Sequence, residues 1–176
     1  NLYDMAGAFE TFGALSTFRG GNVVVLICSM PFKCPAAPYE AAFLVRDYLT
    51  SRGVAADVRV YTPEPFPMPT AGESVGKALI AMLESKGIRF YPTRKATRID
   101  PKERRIHFES GESADYDLLI GVPAHRAPAA VATSGLAGPS GWIPVHPETL
   151  ATRFEGVYAI GDVTAIPIAG NKNLPK

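Results

Sequence analysis

Two stretches of this sequence carry residue types that could do chemistry, and the first contains a thiol. Cys34 lies in a proline-rich loop, residues 29–40, between an apolar run and a segment with helical spacing. A helix start offers unpaired N–H groups and the positive end of the helix dipole, and both favour an anionic thiolate. Cys34 could therefore act as a nucleophile or disulfide partner; the alternative is a small residue buried in the loop.

The second stretch lies near the carboxyl end of the chain. Residues 157–160 are mostly apolar and predict a strand, which runs directly into Gly161 and Asp162. Glycine permits a tight turn at the end of a strand, and the carboxylate that follows can accept hydrogen bonds from the hydroxyls of a polyol. Taken alone, an aspartate in this position indicates only a turn.

The elements that must position these residues follow an alternating pattern. Apolar runs predict strands at residues 23–28, 57–62, 88–91 and 117–122, and the first is apolar on both faces, as in a buried parallel strand. Two further runs flank Asp100 and Pro101, which is the signal of an antiparallel hairpin. We predict an α/β fold, a Rossmann-like doubly wound, mainly parallel sheet with a small antiparallel β appendage.

Helices are predicted between the strands. Asp4 can cap a helix over residues 5–18, and Thr70 with Glu73 forms a capping box for a later one. A helix after the loop of Cys34 is indicated by an apolar face at helical spacing, formed by Ala41, Leu44, Val45 and Tyr48.

Composition limits the possible functions. A chain of 176 residues with a net charge of +1 and no long run of one charge sign gives no reason to expect nucleic acid as a partner, and it has no run of ~20 apolar residues that could span a membrane. The two cysteines cannot form a disulfide framework, and Cys28 is assigned to the core of a strand. His107 and His125 lack a plausible ligand set, so no metal site is predicted.

A nucleotide site in such a fold would lie beyond the carboxyl ends of the strands. The loop after the first strand would then need glycines, so that a pyrophosphate could approach the backbone at the helix start. Residues 29–40 contain no glycine. Glu64 is the nearest candidate for the acidic residue that would hold a ribose. The sequence therefore argues against tight NAD binding, and a cysteine stands where the glycines would be.

Three separated blocks, with the closing residues "LPK", carry a resemblance that spans nearly the whole chain. They read "CPAAPYEAAFLVRDYL" from Cys34, "DLLIGVPAHRAP" from Asp117, and "GWIPVHPETLATRFEGVYAIGDVTAI" from Gly141. The chain resembles the sulfide:quinone oxidoreductase branch of the FAD-dependent pyridine nucleotide-disulfide oxidoreductases. Ala124, where many relatives have proline, and His146, where an acidic residue is common, depart from the pattern and loosen assignment to one subgroup.

This resemblance implies a redox mechanism and a set of site residues. Cys34 would join a redox disulfide, accept the sulfur of sulfide and pass electrons to FAD, which would reduce a quinone. Asp162 after Gly161 would hydrogen-bond the ribityl chain of the flavin, Val163 and Thr164 would lie along its ring system, and Lys176 would lie near the pyrimidine end. With Cys28 assigned to the core, the partner cysteine is expected outside these 176 residues.

The resemblance also implies a domain layout. Residues 1–156 would form the central NAD(P)-binding-like domain, and residues 157–176 would begin the return to an FAD-binding half. That half, the missing partner of this domain, and a carboxyl-terminal region are expected outside the chain. We expect the chain alone to be soluble, free of flavin and inactive, and the parent protein to be cytoplasmic or peripheral to a membrane.

Three alternatives remain open at this point. The parent could resemble a type II NADH dehydrogenase, which the glycine-free loop counts against. It could be the flavoprotein subunit of a sulfide dehydrogenase that passes electrons to a cytochrome. A non-enzymatic interaction module is the third possibility, and the presence of Cys34 beside a helix start and of Gly161 with Asp162 weighs against it.

Overall fold

The structure is a computed structural model, and it describes residues 1–166. These residues form two compact units. The first comprises Asn1–Met30 and Cys34–Pro123, and the second comprises Pro31–Lys33 and the residues from Ala124 onward. Lys176, predicted to lie near a flavin, falls outside the described residues.

Seven strands lie in the first unit: β1 (Gly21–Ile27), β2 (Ala56–Tyr61), β3 (Ile88–Tyr91), β4 (Ala96–Asp100), β5 (Arg105–Phe108), β6 (Ser113–Asp115) and β7 (Leu118–Val122). Four of them make a parallel sheet in the order β3-β2-β1-β7, in which Val23 pairs with Val58 on one side and Leu118 on the other. The side chains of residues 23–27 are fully buried, as their unbroken apolar run predicts.

The remaining strands make a small antiparallel sheet in the order β4-β5-β6. Its first turn is held by Asp100, whose Oδ1 accepts the backbone N–H groups of Lys102 and Glu103 at 3.0 and 3.1 Å. A hydrophobic cluster that includes Leu26, Tyr61, Ile106 and Phe108 joins this sheet to the parallel one. The predicted fold class is confirmed, although sequence reasoning missed the short strand β6.

Residues 1–166 contain four α-helices, α1 (Met5–Thr17), α2 (Ala37–Ser51), α3 (Glu73–Ser85) and α4 (Ala129–Thr133), of which the first three lie in the first unit. The predicted cap of α1 is confirmed, since Asp4 Oδ1 accepts the Gly7 N–H at 2.7 Å. In α2 the predicted apolar face is wrong at Leu44, which is 70% exposed. The helix is rotated so that Tyr39, Ala42, Val45 and Leu49 face inward.

The capping box predicted for α3 is also wrong. Its N-cap is Gly72, and no side chain caps the helix. Met68 has a left-handed backbone and leads into a 3-10 turn over Pro69–Ala71, which takes up Thr70. Glu73 instead forms an ion pair with Lys77 one helical turn later, at 2.8 Å.

In the part of the second unit that the structure describes lie α4 and two isolated bridges, Ile143 with Thr164 and Ala151 with Tyr158. The predicted strand at residues 157–160 is not formed. A strand requires a continuous ladder of paired residues, whereas within the described residues this segment pairs only through the bridge of Tyr158 with Ala151. Three of its apolar side chains are exposed: Val157, Tyr158 and Ile160. Across residues 1–166, none of the helices is long and apolar enough to cross a membrane.

Candidate active site

Cys34 lies three residues before α2, and its thiol is free and exposed. Its carbonyl oxygen accepts the N–H of Ala37 at 3.0 Å, which joins the cysteine to the first turn of the helix. The backbone of Cys34 is left-handed, with φ of 56°. This conformation costs a non-glycine residue about 1–2 kcal/mol, and Pro35 disfavours helical conformations of its neighbour still further. The fold therefore holds the cysteine in a conformation that a free chain would avoid.

The backbone N–H groups in the first turn of α2 all donate to backbone carbonyls. Ala37 N–H donates to Cys34, the N–H groups of Tyr39 and Glu40 both donate to Ala36, and Pro38 has no N–H. A pyrophosphate binds a helix start through free N–H groups. In α2 those N–H groups already have backbone partners. The preceding loop also lacks glycine, so two features of this helix start disfavour a pyrophosphate.

Cys28 follows β1 rather than lying inside it, and its backbone N–H continues the ladder to Val122 at 3.0 Å. Its side chain is partly buried against the hydrophobic cluster, and this burial raises the pKa of the thiol. The assignment to the fully buried strand core is therefore corrected. A raised pKa lowers the fraction of Cys28 that is thiolate, which disfavours this thiol as a nucleophile.

Tyr3 is the residue near Cys34 that sequence reasoning missed. Burial, followed by the negative charge that Cys34 can carry, raises the pKa of the Tyr3 phenol to about 12. The two residues are thus close enough to interact electrostatically, although 31 positions separate them, and no local sequence pattern could have revealed this.

Glu64, the candidate ribose ligand, is instead part of a buried cluster. The Tyr39 hydroxyl donates to Glu64 Oε2, and the Thr62 hydroxyl donates to the same oxygen at 3.0 Å. The backbone N–H of Met68 is a further donor to the carboxylate. Glu64 is only 2% exposed, and burial raises its pKa. A carboxylate enclosed in this way faces protein donors rather than a ligand in solvent.

Gly161, Asp162 and Val163 form a 3-10 turn in the second unit. Gly161 has φ of 75°, a conformation that favours glycine, and its carbonyl accepts both the N–H and the hydroxyl of Thr164, at 3.1 and 2.9 Å. Thr164 is buried, whereas Asp162 is exposed. The turn therefore presents one carboxylate to solvent, which suits a contact with ligand hydroxyls. The flavin roles of these residues stay predictions.

Within residues 1–166, no group of three or more histidine, cysteine, aspartate or glutamate side chains could hold a metal ion. The candidate site residues that could react with or bind a ligand are therefore the exposed thiol of Cys34 and the exposed carboxylate of Asp162. They lie on separate units, Cys34 on the first and Asp162 on the second.

A parallel sheet flanked by helices, with a small antiparallel sheet attached, places the chain in the class of Rossmann-like nucleotide-fold domains. The chain belongs to the family of pyridine nucleotide-disulphide oxidoreductases, whose model matches residues 4–175. The superfamily predicted from the sequence is confirmed.

The relatives of known sequence include two sulfide:quinone oxidoreductases and an apoptosis-inducing factor 3. The chain is 24% identical to mitochondrial sulfide:quinone oxidoreductase of Mus musculus over 172 residues, and 26% identical to that of Schizosaccharomyces pombe over 174 residues. Each alignment covers 94% of this chain and 38% of the relative, so the chain spans less than two fifths of their length. Apoptosis-inducing factor 3 of Homo sapiens is 29% identical over 163 residues, which cover 88% of this chain and 24% of that protein.

Solved structures share the fold. The sulfide:quinone oxidoreductase of Aquifex aeolicus matches with a TM-score of 0.73 and 19% identity, covering 90% of this chain and 39% of that one. A NAD-dependent persulfide reductase from A. fulgidus matches with a TM-score of 0.67 and 18% identity, covering 93% of this chain and 29% of that one. At these identities the likeness establishes the architecture alone.

Proposed function

We propose that this chain is the central part of a flavoprotein that oxidises sulfide through a disulfide containing Cys34 and passes the electrons by way of FAD to a quinone. The observation that carries the proposal is the exposed thiol of Cys34, held in a left-handed conformation three residues before α2. The similarity to sulfide:quinone oxidoreductases from two organisms supports the choice of sulfide as donor.

The proposed step is a thiol–disulfide exchange. Hydrosulfide attacks Cys34 Sγ, a new S–S bond forms, and the bond from Cys34 to its partner cysteine breaks. The partner leaves as a thiolate that carries the electron pair, and Cys34 retains the sulfur as a persulfide. FAD supplies the two-electron chemistry that links this thiolate to the quinone. The exposure of Cys34 allows sulfide to reach the sulfur.

The residues of this chain that would hold FAD are those of the turn in the second unit. Asp162 would accept hydrogen bonds from ribityl hydroxyls, with Gly161 shaping the turn and Val163, Thr164 and Lys176 near the ring system. Residues 1–156 would then act as the central domain, and residues 157–176 as the return to an FAD-binding half. The exposed apolar side chains Val157, Tyr158 and Ile160 fit such a contact.

Two features weigh against NADH as the electron donor in the same flavoprotein. The N–H groups at the start of α2 are taken up by the backbone, and Glu64 is enclosed by protein donors. A cytochrome as final acceptor would use the same cysteine chemistry, so the choice of quinone rests on the relatives. With a quinone as acceptor, the protein would work at a membrane surface.

The test is anaerobic flavin reduction in the FAD-loaded flavoprotein, with sulfide and NADH added separately. We expect sulfide to bleach the flavin and Cys34→Ser to abolish this, while Cys28→Ser, the matched thiol control, leaves it intact. Bleaching by NADH alone, or bleaching by sulfide that survives Cys34→Ser, would refute the proposal. Adding a quinone analogue or a cytochrome to the reduced protein then identifies the acceptor.

A further inference from the structure

The buried cluster of Tyr39, Thr62 and Glu64, here called the Tyr39 cluster, joins two segments that are distant in sequence. Tyr39 lies in the first turn of α2, and Thr62 and Glu64 lie in the loop after β2. All three side chains are almost fully buried, with exposures of 1%, 0% and 2%. A polar cluster so deeply buried is costly unless every member is satisfied, and it constrains geometry strongly when it is.

The members of the cluster satisfy one another. Glu64 Oε2 accepts the hydroxyls of Tyr39 and Thr62, and the Thr62 oxygen in turn accepts the Glu64 N–H at 3.1 Å. The loop after β2 is itself anchored, because the Glu64 carbonyl accepts the Thr93 N–H at 2.9 Å. The ring of Tyr39 packs at a tilt against Phe90 of β3, with ring centroids 6.3 Å apart. Tyr39 is thus fixed at both its ring and its hydroxyl.

The backbone carries this constraint to Cys34. The N–H of Tyr39 donates to Ala36, and the N–H of Ala37 donates to Cys34, both at 3.0 Å. The segment from Cys34 to Tyr39 therefore consists of two overlapping hydrogen-bonded turns, of which the second ends at the buried Tyr39 and the first begins at Cys34. Within the first of these turns Cys34 holds a left-handed conformation ahead of Pro35, which needs support from its surroundings.

We propose that Tyr39 and Glu64 are positioning residues, whose buried hydrogen bond holds the turn of α2 so that Cys34 presents its sulfur for attack by an incoming nucleophile. The inference rests on the proposed function of Cys34 as the reactive thiol. It assigns Glu64, at the position where a dinucleotide-binding fold has its ribose ligand, to the support of the cysteine. Tyr39 and Glu64 act through the backbone of the turn.

The test measures Cys34 chemistry without flavin, in the full 176-residue chain carrying Cys28→Ser so that Cys34 is the sole thiol. Cys34 is converted to its mixed disulfide with thionitrobenzoate, and sulfide is added. Hydrosulfide attacks Cys34 Sγ, the S–S bond breaks, and the coloured thionitrobenzoate leaves with the electron pair while Cys34 keeps a persulfide. The rate of colour release reports how well the sulfur is presented.

We expect Tyr39→Phe, which removes a single buried oxygen, and Glu64→Leu to slow this reaction about three- to tenfold, because small misplacements of a reacting atom are costly. Glu64→Gln keeps an oxygen that can accept the Tyr39 hydroxyl and should rescue the rate to within about twofold of the parent. Tyr61→Phe is the matched control, since it removes another largely buried tyrosine hydroxyl from β2 and should leave the rate unchanged.

Near-ultraviolet circular dichroism and thermal melting establish that each variant is folded at the assay temperature. Folded Tyr39→Phe and Glu64→Leu variants that react at the parent rate would overturn the proposal, as would a Glu64→Gln variant as slow as Glu64→Leu. A separate result tests the proposed function. If the Cys34 mixed disulfide of the Cys28→Ser chain reacts with sulfide no faster than the mixed disulfide of glutathione with thionitrobenzoate, Cys34 is not a specially reactive site and the proposed function is refuted.

Discussion

At the scale of single residues, the burial of Glu64 should make stability depend on pH in a particular direction. Burial is the largest influence on this carboxyl and raises its pKa above the ordinary value of 4.5, against the hydrogen bonds from Tyr39, Thr62 and Met68, which lower it. The folded protein then holds the proton more tightly than the unfolded chain. This contribution to stability is fully present below the unfolded pKa and is lost as pH rises through the folded pKa.

Glu64→Gln isolates that contribution, because glutamine does not titrate. We expect the free energy of unfolding of the wild type to fall relative to that of Glu64→Gln as pH rises above 4.5, the ordinary pKa of this carboxyl. Urea denaturation of both proteins across the pH range measures the difference. If the difference stays constant, or shifts in favour of the wild type as pH rises, the carboxyl does not have a raised pKa in the folded state.

At the scale of elements, α1 and α3 begin in different ways, although the sequence predicted a side-chain cap for both. Asp4 caps α1 with a 2.7 Å hydrogen bond, whereas α3 begins at Gly72 with no side-chain cap. We expect Asp4→Ala to lower the free energy of unfolding by about 1 kcal/mol. Thr70→Ala, the matched control, should change it by less than about 0.5 kcal/mol.

Chemical denaturation of the two variants decides between the sequence pattern and the structure. Equal losses would mean that Thr70 caps α3 in solution after all. No loss at Asp4 would mean that the Gly7 N–H is satisfied equally well by water.

At the scale of the whole molecule, two features that favour a dinucleotide are absent from residues 1–166, namely free N–H groups in the first turn of α2 and an accessible acidic residue in the loop after β2. The N–H groups at the start of α2 are occupied by the backbone, and Glu64 is enclosed. We therefore expect titration calorimetry of the chain with NADH to show binding no tighter than about 1 mM, a free energy of about −4 kcal/mol. Serum albumin and an authentic NAD-dependent dehydrogenase serve as negative and positive controls. A dissociation constant in the micromolar range would restore the NADH dehydrogenase alternative.

The sequence predicted features that depend on local residue pattern better than features that depend on tertiary packing. The buried strands β1, β2, β3 and β7 were predicted within two residues at each end, because continuous apolar runs are dictated by burial on both faces. The turn at Asp100 was also predicted, since its hydrogen bonds are local. The face of α2 was misjudged at Leu44 because helical spacing permits several rotations, and packing selects one.

Some features of the candidate site could likewise be predicted from the sequence, and others could not. The position of Cys34 before a helix and the turn at Gly161 and Asp162 are local features that residue types reveal. The cluster around Glu64 required Tyr39 to face inward, and the apolar pattern read from the sequence had pointed to other residues of α2. The spacing of Tyr39, Ala42, Val45 and Leu49 did contain that signal.

By itself, the sequence determined the alternation of strands and helices, the family and the placement of a thiol beyond the first strand, because each depends on residue type and near-neighbour spacing. The tertiary structure decided that Cys34 is exposed with a left-handed backbone, that Glu64 binds Tyr39 instead of facing solvent, and that Val157, Tyr158 and Ile160 are exposed in a largely unpaired segment. These outcomes depend on which distant segments meet, and burial and hydrogen-bond satisfaction across the whole fold choose among the pairings that local pattern allows.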